Sequence, residues 1–322
     1  ISPAGSWSLS HAAACWTTYQ LYLEGKTKAM KDVSWGPLLT AMVTPFDAEG
    51  RADAKEAARV ATYLVDVQKS SGIVVNGTTG ESPTTTSAEK FAILNAVLGA
   101  VGDRASVLFG AGTYNTAESI EYTKEAERSG AHGVMLVNPY YNKPGQDGLY
   151  AHFMACADAT SLPIMVYNIQ PRSSINLETS TLMRLIESIP HLHAVKEASG
   201  NIAQISDVIG QAPADFWVYS GDDALTLPIL AIGGRGLVSV AAHVVGAELR
   251  TMIDTFATDL AGARAIHHRL APFIRALFEY PNPVPVKAAL ASRGFDCESV
   301  RLPLVAMPAE AKARLLSILA AT

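Results

Sequence analysis

The residue of this chain best placed to do chemistry is a lysine inside an apolar run. Lys196 lies within Leu192-His193-Ala194-Val195-Lys196-Glu197-Ala198-Ser199-Gly200-Asn201, which reads as a strand closed by a turn. A lysine there is buried unless it sits at the strand's end, and burial disfavours the ammonium form. An amine acts as a nucleophile near neutral pH only if its pKa falls from about 10.4, and desolvation is a route to that. The plainer alternative is a strand-end lysine that snorkels to solvent, the commoner fate of a single lysine.

Other polar residues follow similar apolar runs. One run ends in Asn76-Gly77-Thr78-Thr79-Gly80-Glu81-Ser82, another in Asn138-Pro139-Tyr140-Tyr141-Asn142-Lys143-Pro144. Two more end in Tyr167-Asn168-Ile169-Gln170-Pro171-Arg172 and in Ser220-Gly221-Asp222-Asp223. Gly77–Gly80 could be a plain turn, a weak phosphate loop, or a nest of amide and hydroxyl donors for a carboxylate. Taken alone, Tyr167 reads as a core aromatic, and Tyr140 and Tyr141 as an edge cover or a subunit contact. Arg172 is by default a solvated loop residue, although its planar fork suits a substrate carboxylate.

The elements that must position these residues can be read from the apolar pattern. Strands are expected at Leu38–Phe46, Gly72–Asn76, Ser106–Thr113, Gly133–Pro139, Pro163–Asn168, Leu192–Ser199, Phe216–Asp222 and Gly236–Ala242. Helical patterns lie between them, such as Ala57, Val60, Ala61, Leu64 and Val67 on one face. Thr86 with Glu89, and Asn115 with Glu118, have capping-box spacing. Continuous apolar strands separated by helices imply a parallel sheet covered on both faces, and eight such units match a (β/α)8 TIM barrel. In that fold the active site lies at the C-terminal ends of the strands, where hydroxyls, phenols, a guanidinium and the Lys196 amine converge. Gly233-Gly234-Arg235-Gly236 precedes the eighth strand and belongs to the opposite face. The expected organisation is a catalytic barrel over residues 30–246 and a helical region over 247–322. Residues 1–29 read as an extension outside the functional fold, with an N-terminal helix packed on the barrel as the alternative.

Composition narrows the function classes. Of 322 residues, 25 are Lys or Arg and 30 are Asp or Glu, giving a net charge of −5 and no basic face for nucleic acid. Cys15, Cys156 and Cys297 are far apart and odd in number, which argues for no metal cluster, no disulfide framework and a reducing, cytoplasmic setting. No apolar run reaches the roughly 18 residues that span a bilayer.

With these motifs in order, the chain from about Met30 to Thr322 resembles the pyruvate-dependent class I aldolase family of dihydrodipicolinate synthase and N-acetylneuraminate lyase. The segments that carry the resemblance are Gly77–Ser82, Pro139–Pro144, Val195–Asn201, Ser220–Asp223 and Asn282-Pro283-Val284-Pro285-Val286-Lys287. It implies that Lys196 forms a Schiff base with pyruvate and that Tyr167 transfers protons. Thr78 and Tyr141 would complete the relay, with Tyr141 supplied across a dimer interface. Thr79 would hold the pyruvate carboxylate, while Gly221 and Val238 would line the pocket. No cofactor or metal is expected, and the assembly would be a homotetramer of tight dimers. Arg172 matches the arginine by which the family's synthases bind aspartate semialdehyde, so condensation of pyruvate with that aldehyde is the expected reaction. A sister aldolase acting on N-acetylneuraminate or a 2-keto-3-deoxy sugar acid is the alternative, and a non-catalytic keto-acid-binding barrel is the alternative of another class. Two departures stand out. Gln170-Pro171-Arg172-Ser173-Ser174 displaces the family's proline by one place and replaces a glycine, which would present Arg172 differently. Ser82, Asn115, Glu118 and Tyr140 are compatible with the family's lysine-feedback site, but Ser87 and Lys90 stand where lysine-sensitive members often carry histidines. A cationic Lys90 would repel a cationic effector, so feedback by lysine should be weak or absent.

Overall fold

All eight apolar runs form strands in the computed structural model of the protein, which describes residues 33–322. The strands are β1 (Leu38–Ala41), β2 (Gly72–Val75), β3 (Ser106–Gly110), β4 (Gly133–Val137), β5 (Ile164–Asn168), β6 (Leu192–Glu197), β7 (Trp217–Ser220) and β8 (Gly236–Ser239). Each pairs in parallel with the next, and β8 closes on β1 to complete the barrel. Seven of the strands stop one to five residues earlier at their C-terminal ends than the apolar pattern suggests, while β5 ends at Asn168 as expected. Residues such as Met42, Val43, Asn76 and Ala111 are as buried as strand residues, but they belong to the loops that roof the barrel. Burial continues past the point where pairing ends. The expected extension at residues 1–29 lies outside the described residues.

Two apolar layers hold the barrel. Leu39, Val74, Leu108, Met135, Met165, Ala194, Tyr219 and Val238 fill its interior. Leu38, Ile73, Val107, Val134, Val166 and Val195 face outward against the helices. This alternation follows from the two-residue period of a strand. One strand breaks the period. Ile164 pairs with Leu192 but Met165 pairs with Ala194, so His193 is an extra residue in β6. The His193 ring sits against Trp35 at 5.0 Å, from the interior layer, so His193 and Ala194 both face inward. That bulge brings Lys196 inside, level with Tyr167 on β5 and Tyr219 on β7.

The helices start where local chemistry dictates. Thr86 and Glu89 form the expected reciprocal capping box at the helix Ser87–Val101. Asn115 also caps its helix, Thr116–Arg128, by accepting from the Ala117 N–H. There, however, Glu118 accepts a hydrogen bond from the Tyr122 hydroxyl instead of closing a box. After β8 come the helices Ala242–Thr255, Leu260–Ala276, Val284–Ala291 and Ala309–Ala320. Among the described residues no helix is long and apolar enough to cross a membrane.

The C-terminal helices also grip the barrel with charge. Lys287 is fully buried and donates to Glu81 Oε1 at 2.5 Å and to the Ser299 carbonyl at 2.6 Å. Glu81 Oε2 accepts the Arg301 N–H at 3.0 Å. Glu81 is itself left-handed, with φ of 55°, in the loop after β2. Removing one member of a buried pair strands the other's charge and costs about 3–5 kcal/mol. Lys287→Met should therefore lose about that much in denaturant unfolding, and adding Glu81→Gln should recover more than half. A loss under about 1 kcal/mol for the single change would contradict the buried-pair account.

Candidate active site

Lys196, the fifth residue of β6, is only 4 % exposed. Its Nζ lies over the Tyr167 ring, 4.2 Å from the centroid. The barrel around it is apolar, and that desolvation pulls the ammonium pKa down to about 8; the buried Asp223 carboxylate opposes the shift and the Arg172 guanidinium adds to it. Burial acts on Tyr167 in the other direction, pushing its phenol up to about 12, with Arg172 and a hydrogen bond from Thr78 drawing it back. The phenol therefore keeps its proton at neutral pH beside an amine that can lose one. Such a pair can attack a carbonyl carbon through the amine and exchange protons with the carbonyl oxygen.

Above it opens a pocket of about 170 Å3, whose wall includes Thr78, Gly110, Val137, Tyr140, Tyr167 and Arg172. Glycine is required at the back wall, because a Cβ on Gly110 would lie 2.5 Å from the Asn76 carbonyl. Lys196 adjoins this pocket through the Tyr167 ring, and Thr79 follows Thr78 in the same loop. Thr79 is 3 % exposed and accepts a hydrogen bond from Asn282 Nδ2 at 2.9 Å. Among the described residues the Thr78 and Thr79 amides donate to no backbone acceptor, whereas the next three amides close the loop onto Gly77 and Thr78. Val238 is fully buried in the interior layer. Gly221 abuts the lysine stem, and a Cβ there would lie 2.9 Å from both Lys196 Cγ and Cε.

Arg172 reaches the pocket despite the displaced proline. Pro171 occupies the first turn of a four-residue helix, Gln170–Ser173, and Ser174 ends it in the left-handed region at φ of 61°. Arg172 lines the pocket, and among the described residues its guanidinium is in no ion pair. Tyr141 is elsewhere. It is 90 % exposed with φ of 72°, outside the pocket formed by its own chain.

Four residues here escaped the sequence reading. Asp223 is buried and accepts from the Ser239 hydroxyl and from the Val240 N–H at 3.1 Å and the Ala241 N–H at 3.3 Å. Burial raises its pKa, and those donors work against the rise. Glu197, also buried, accepts from Asn168 and Ser199. Asn282 and Lys287 come from the far end of the chain. Asp223 and the Asn282–Lys287 segment sit in motifs that were visible, but nothing local to them gives their partners. No group of three or more His, Cys, Asp and Glu is gathered as a metal site among the described residues.

Comparison with known proteins gives this geometry its lineage. The family model described as dihydrodipicolinate synthetase family matches residues 35–322. The chain belongs to the dihydrodipicolinate synthetase family. Among relatives in that family, the 4-hydroxy-tetrahydrodipicolinate synthase of Moorella thermoacetica is 53% identical, covering 90% of this chain and 99% of its own. The synthase of the same name from Bacillus subtilis is 47% identical over 88% of this chain and 98% of its own. A solved dihydrodipicolinate synthase from Bacillus anthracis superposes with a TM-score of 0.87 at 44% identity, covering 90% of this chain and 99% of that one. A lysine-bound enzyme from Cyanidioschyzon merolae gives 0.87 at 43% identity, over 89% and 98%.

Family membership leaves the role of Gly221 to geometry. In Gly221→Ala the new methyl must displace the Lys196 stem, and misplacing a reacting atom by about 1 Å costs on the order of a hundredfold in rate. Pyruvate-dependent borohydride trapping should slow by about that factor in a folded variant. An unchanged trapping rate would show that the close approach of Gly221 does not set the lysine.

Proposed function

We propose that this chain condenses pyruvate with L-aspartate 4-semialdehyde to give 4-hydroxy-tetrahydrodipicolinate, through an imine on Lys196. The observation that carries the reading is the buried Lys196 amine, drawn down to about 8, against the protonated Tyr167 phenol. At pH 7 about one such amine in ten is neutral, against roughly one in 2,500 for a free lysine. The neutral amine adds to the ketone, and Tyr167 gives a proton to the departing hydroxyl so that water leaves and the iminium forms. The iminium draws electrons from the methyl group, which loses a proton to the Tyr167 phenolate and becomes an enamine. The enamine carbon then bonds to the aldehyde carbon, and the aldehyde oxygen takes that proton back from Tyr167. The amine of the second substrate then adds to the iminium carbon and displaces the Lys196 amine, which closes the ring and frees the enzyme. The polarisation is supplied by the iminium, so the proposed sequence uses no metal or cofactor.

Each remaining residue has a part in the same reading. Thr79 and the free amides of its loop hold the pyruvate carboxylate, and the unpaired Arg172 guanidinium receives the carboxylate of the aldehyde. Thr78 links the Tyr167 phenol to the relay, and Tyr141 completes that relay in the site of a partner copy. The high exposure of Tyr141 supports this, as does its place outside its own pocket. Gly221 and Val238 form the wall behind the lysine. The assembly is then a homotetramer of tight dimers, working in a reducing cytoplasm where the buried Cys156 and Cys297 stay free.

Two measurements test the chemistry. Borohydride with pyruvate should leave a mass adduct on Lys196, forming faster as pH rises through about 8 and levelling above it, because deprotonation is then complete. Trapping that still climbs tenfold per unit beyond pH 9.5 would mean an ordinary lysine pKa. An aldehyde panel tests the second substrate. Turnover of aspartate semialdehyde is expected, with a loss of about a hundredfold or more in Arg172→Ala. Cleavage of a sugar acid without such turnover would move the chain to the sister aldolases.

Lysine feedback is proposed to be weak. The Lys90 amine donates to the Ser82 and Thr85 carbonyls at 2.7 and 2.5 Å, immediately behind the pocket wall. Burial draws it to about 8, with Glu118 and Glu89 opposing, so it remains mostly cationic at pH 7. Low-millimolar lysine should leave the steady-state rate unchanged, and inhibition at or below that concentration would overturn the proposal.

A further inference from the structure

The loop that carries Thr78 and Thr79 is held at two points by one short segment of the C-terminal region. Asn282 donates through Nδ2 to Thr79 Oγ1 at 2.9 Å, and Lys287, five residues on, pairs with Glu81 at 2.5 Å. All four side chains are buried, and the contacts join residues more than 200 positions apart. The Thr79 hydroxyl has one proton and two lone pairs. An amide nitrogen only donates, so the contact from Asn282 occupies a lone pair and leaves the proton for another acceptor. Among the described residues that proton has no other hydrogen-bond partner, and neither does Asn282 Oδ1.

We propose that Asn282 is a positioning residue: by donating to Thr79 Oγ1 it turns the Thr79 hydroxyl proton toward the substrate carboxylate. The proposal rests on the reading that Thr79 holds that carboxylate. Had the amide been turned over, Oδ1 would face Thr79 and take its proton, and the substrate would meet a lone pair instead of a donor. The direction of this one hydrogen bond therefore decides whether Thr79 attracts an anion. The Lys287–Glu81 pair ties the far end of the same loop to the segment that carries Asn282.

The test is the pyruvate concentration that half-saturates borohydride trapping, which does not depend on the identity of the aldehyde. Asn282→Ala should raise it about tenfold, with the trapping rate at saturating pyruvate changed less than about threefold. Asn282→Asp keeps the shape but accepts the Thr79 proton and adds a negative charge, and it should raise the concentration further. It also serves if the alanine variant does not fold. Thr79→Val should raise it by a similar factor, and in that background Asn282→Ala should add nothing, because its effect passes through the Thr79 hydroxyl. If Asn282→Ala has its full effect without Thr79, or if it lowers the saturated rate as much as the affinity, Asn282 is only structural and the proposal fails. If Thr79→Val leaves the half-saturating concentration unchanged, the carboxylate reading fails and the proposal falls with it.

Discussion

Dehydration of a single ammonium group is the constraint around which the barrel is arranged. Lys196 sits where water is excluded by Tyr167, Ala194, Tyr219 and Val238, and its one nearby anion, Asp223, is already engaged by three donors. A free carboxylate at hydrogen-bond distance would hold the proton and silence the amine. A wholly apolar site would leave the iminium of the proposed reaction, which keeps its positive charge, without any compensation. The observed arrangement lies between these extremes: a carboxylate whose charge is felt but whose lone pairs are largely taken. Strongly shifted groups in clefts mark functional sites for this reason.

Rigidity around the lysine is supplied from outside the barrel. The loop after β2 contains two left-handed residues, Asn76 and Glu81, each of which needs support from its surroundings. Asn76 Nδ2 donates to the Gly110 carbonyl at 2.6 Å, and Glu81 is taken by Lys287 and Arg301. The Arg301 side chain continues the clamp to Glu89 and to the Gly50 and Thr84 carbonyls. In this way the segment from Asn282 to Arg301 acts as an outer brace on the loop after β2. The apolar core is likewise continuous, since Leu270, Phe273 and Val286 pack in the same layer as Val107 and Val134.

The sequence discloses these features unevenly, for physical reasons. Parallel strands buried on both faces must be apolar throughout, so all eight were legible. Their C-terminal limits were not, because the loops roofing the site are equally buried. Lys196 stood out as a charge in an apolar run, and the polar strand ends marked the rim. The resemblance supplied Thr79, Gly221 and Val238, which no local pattern singles out. Pairings such as Thr79 with Asn282 and Glu81 with Lys287 span separations of 203 and 206 residues. No local pattern encodes those contacts, since only the closed fold brings the ends together. Asp223 was passed over because acidic residues after a strand are ordinarily solvated, and its burial depends on Ser239 from the neighbouring strand.

The extra residue in β6 gives the site an arithmetic of its own. Counting outward from Leu192 by twos would place Lys196 among the helices, away from Tyr167 and the barrel interior. His193 shifts the parity of everything after it, so the chemistry hangs on an odd number. Point substitutions along this strand can be graded, with larger or smaller losses of packing. A single-residue deletion cannot, because it would exchange the lysine for Glu197 or Val195 and invert the strand's two faces at once. In this chain the length of strand six, as much as its lysine, sets what faces the barrel interior.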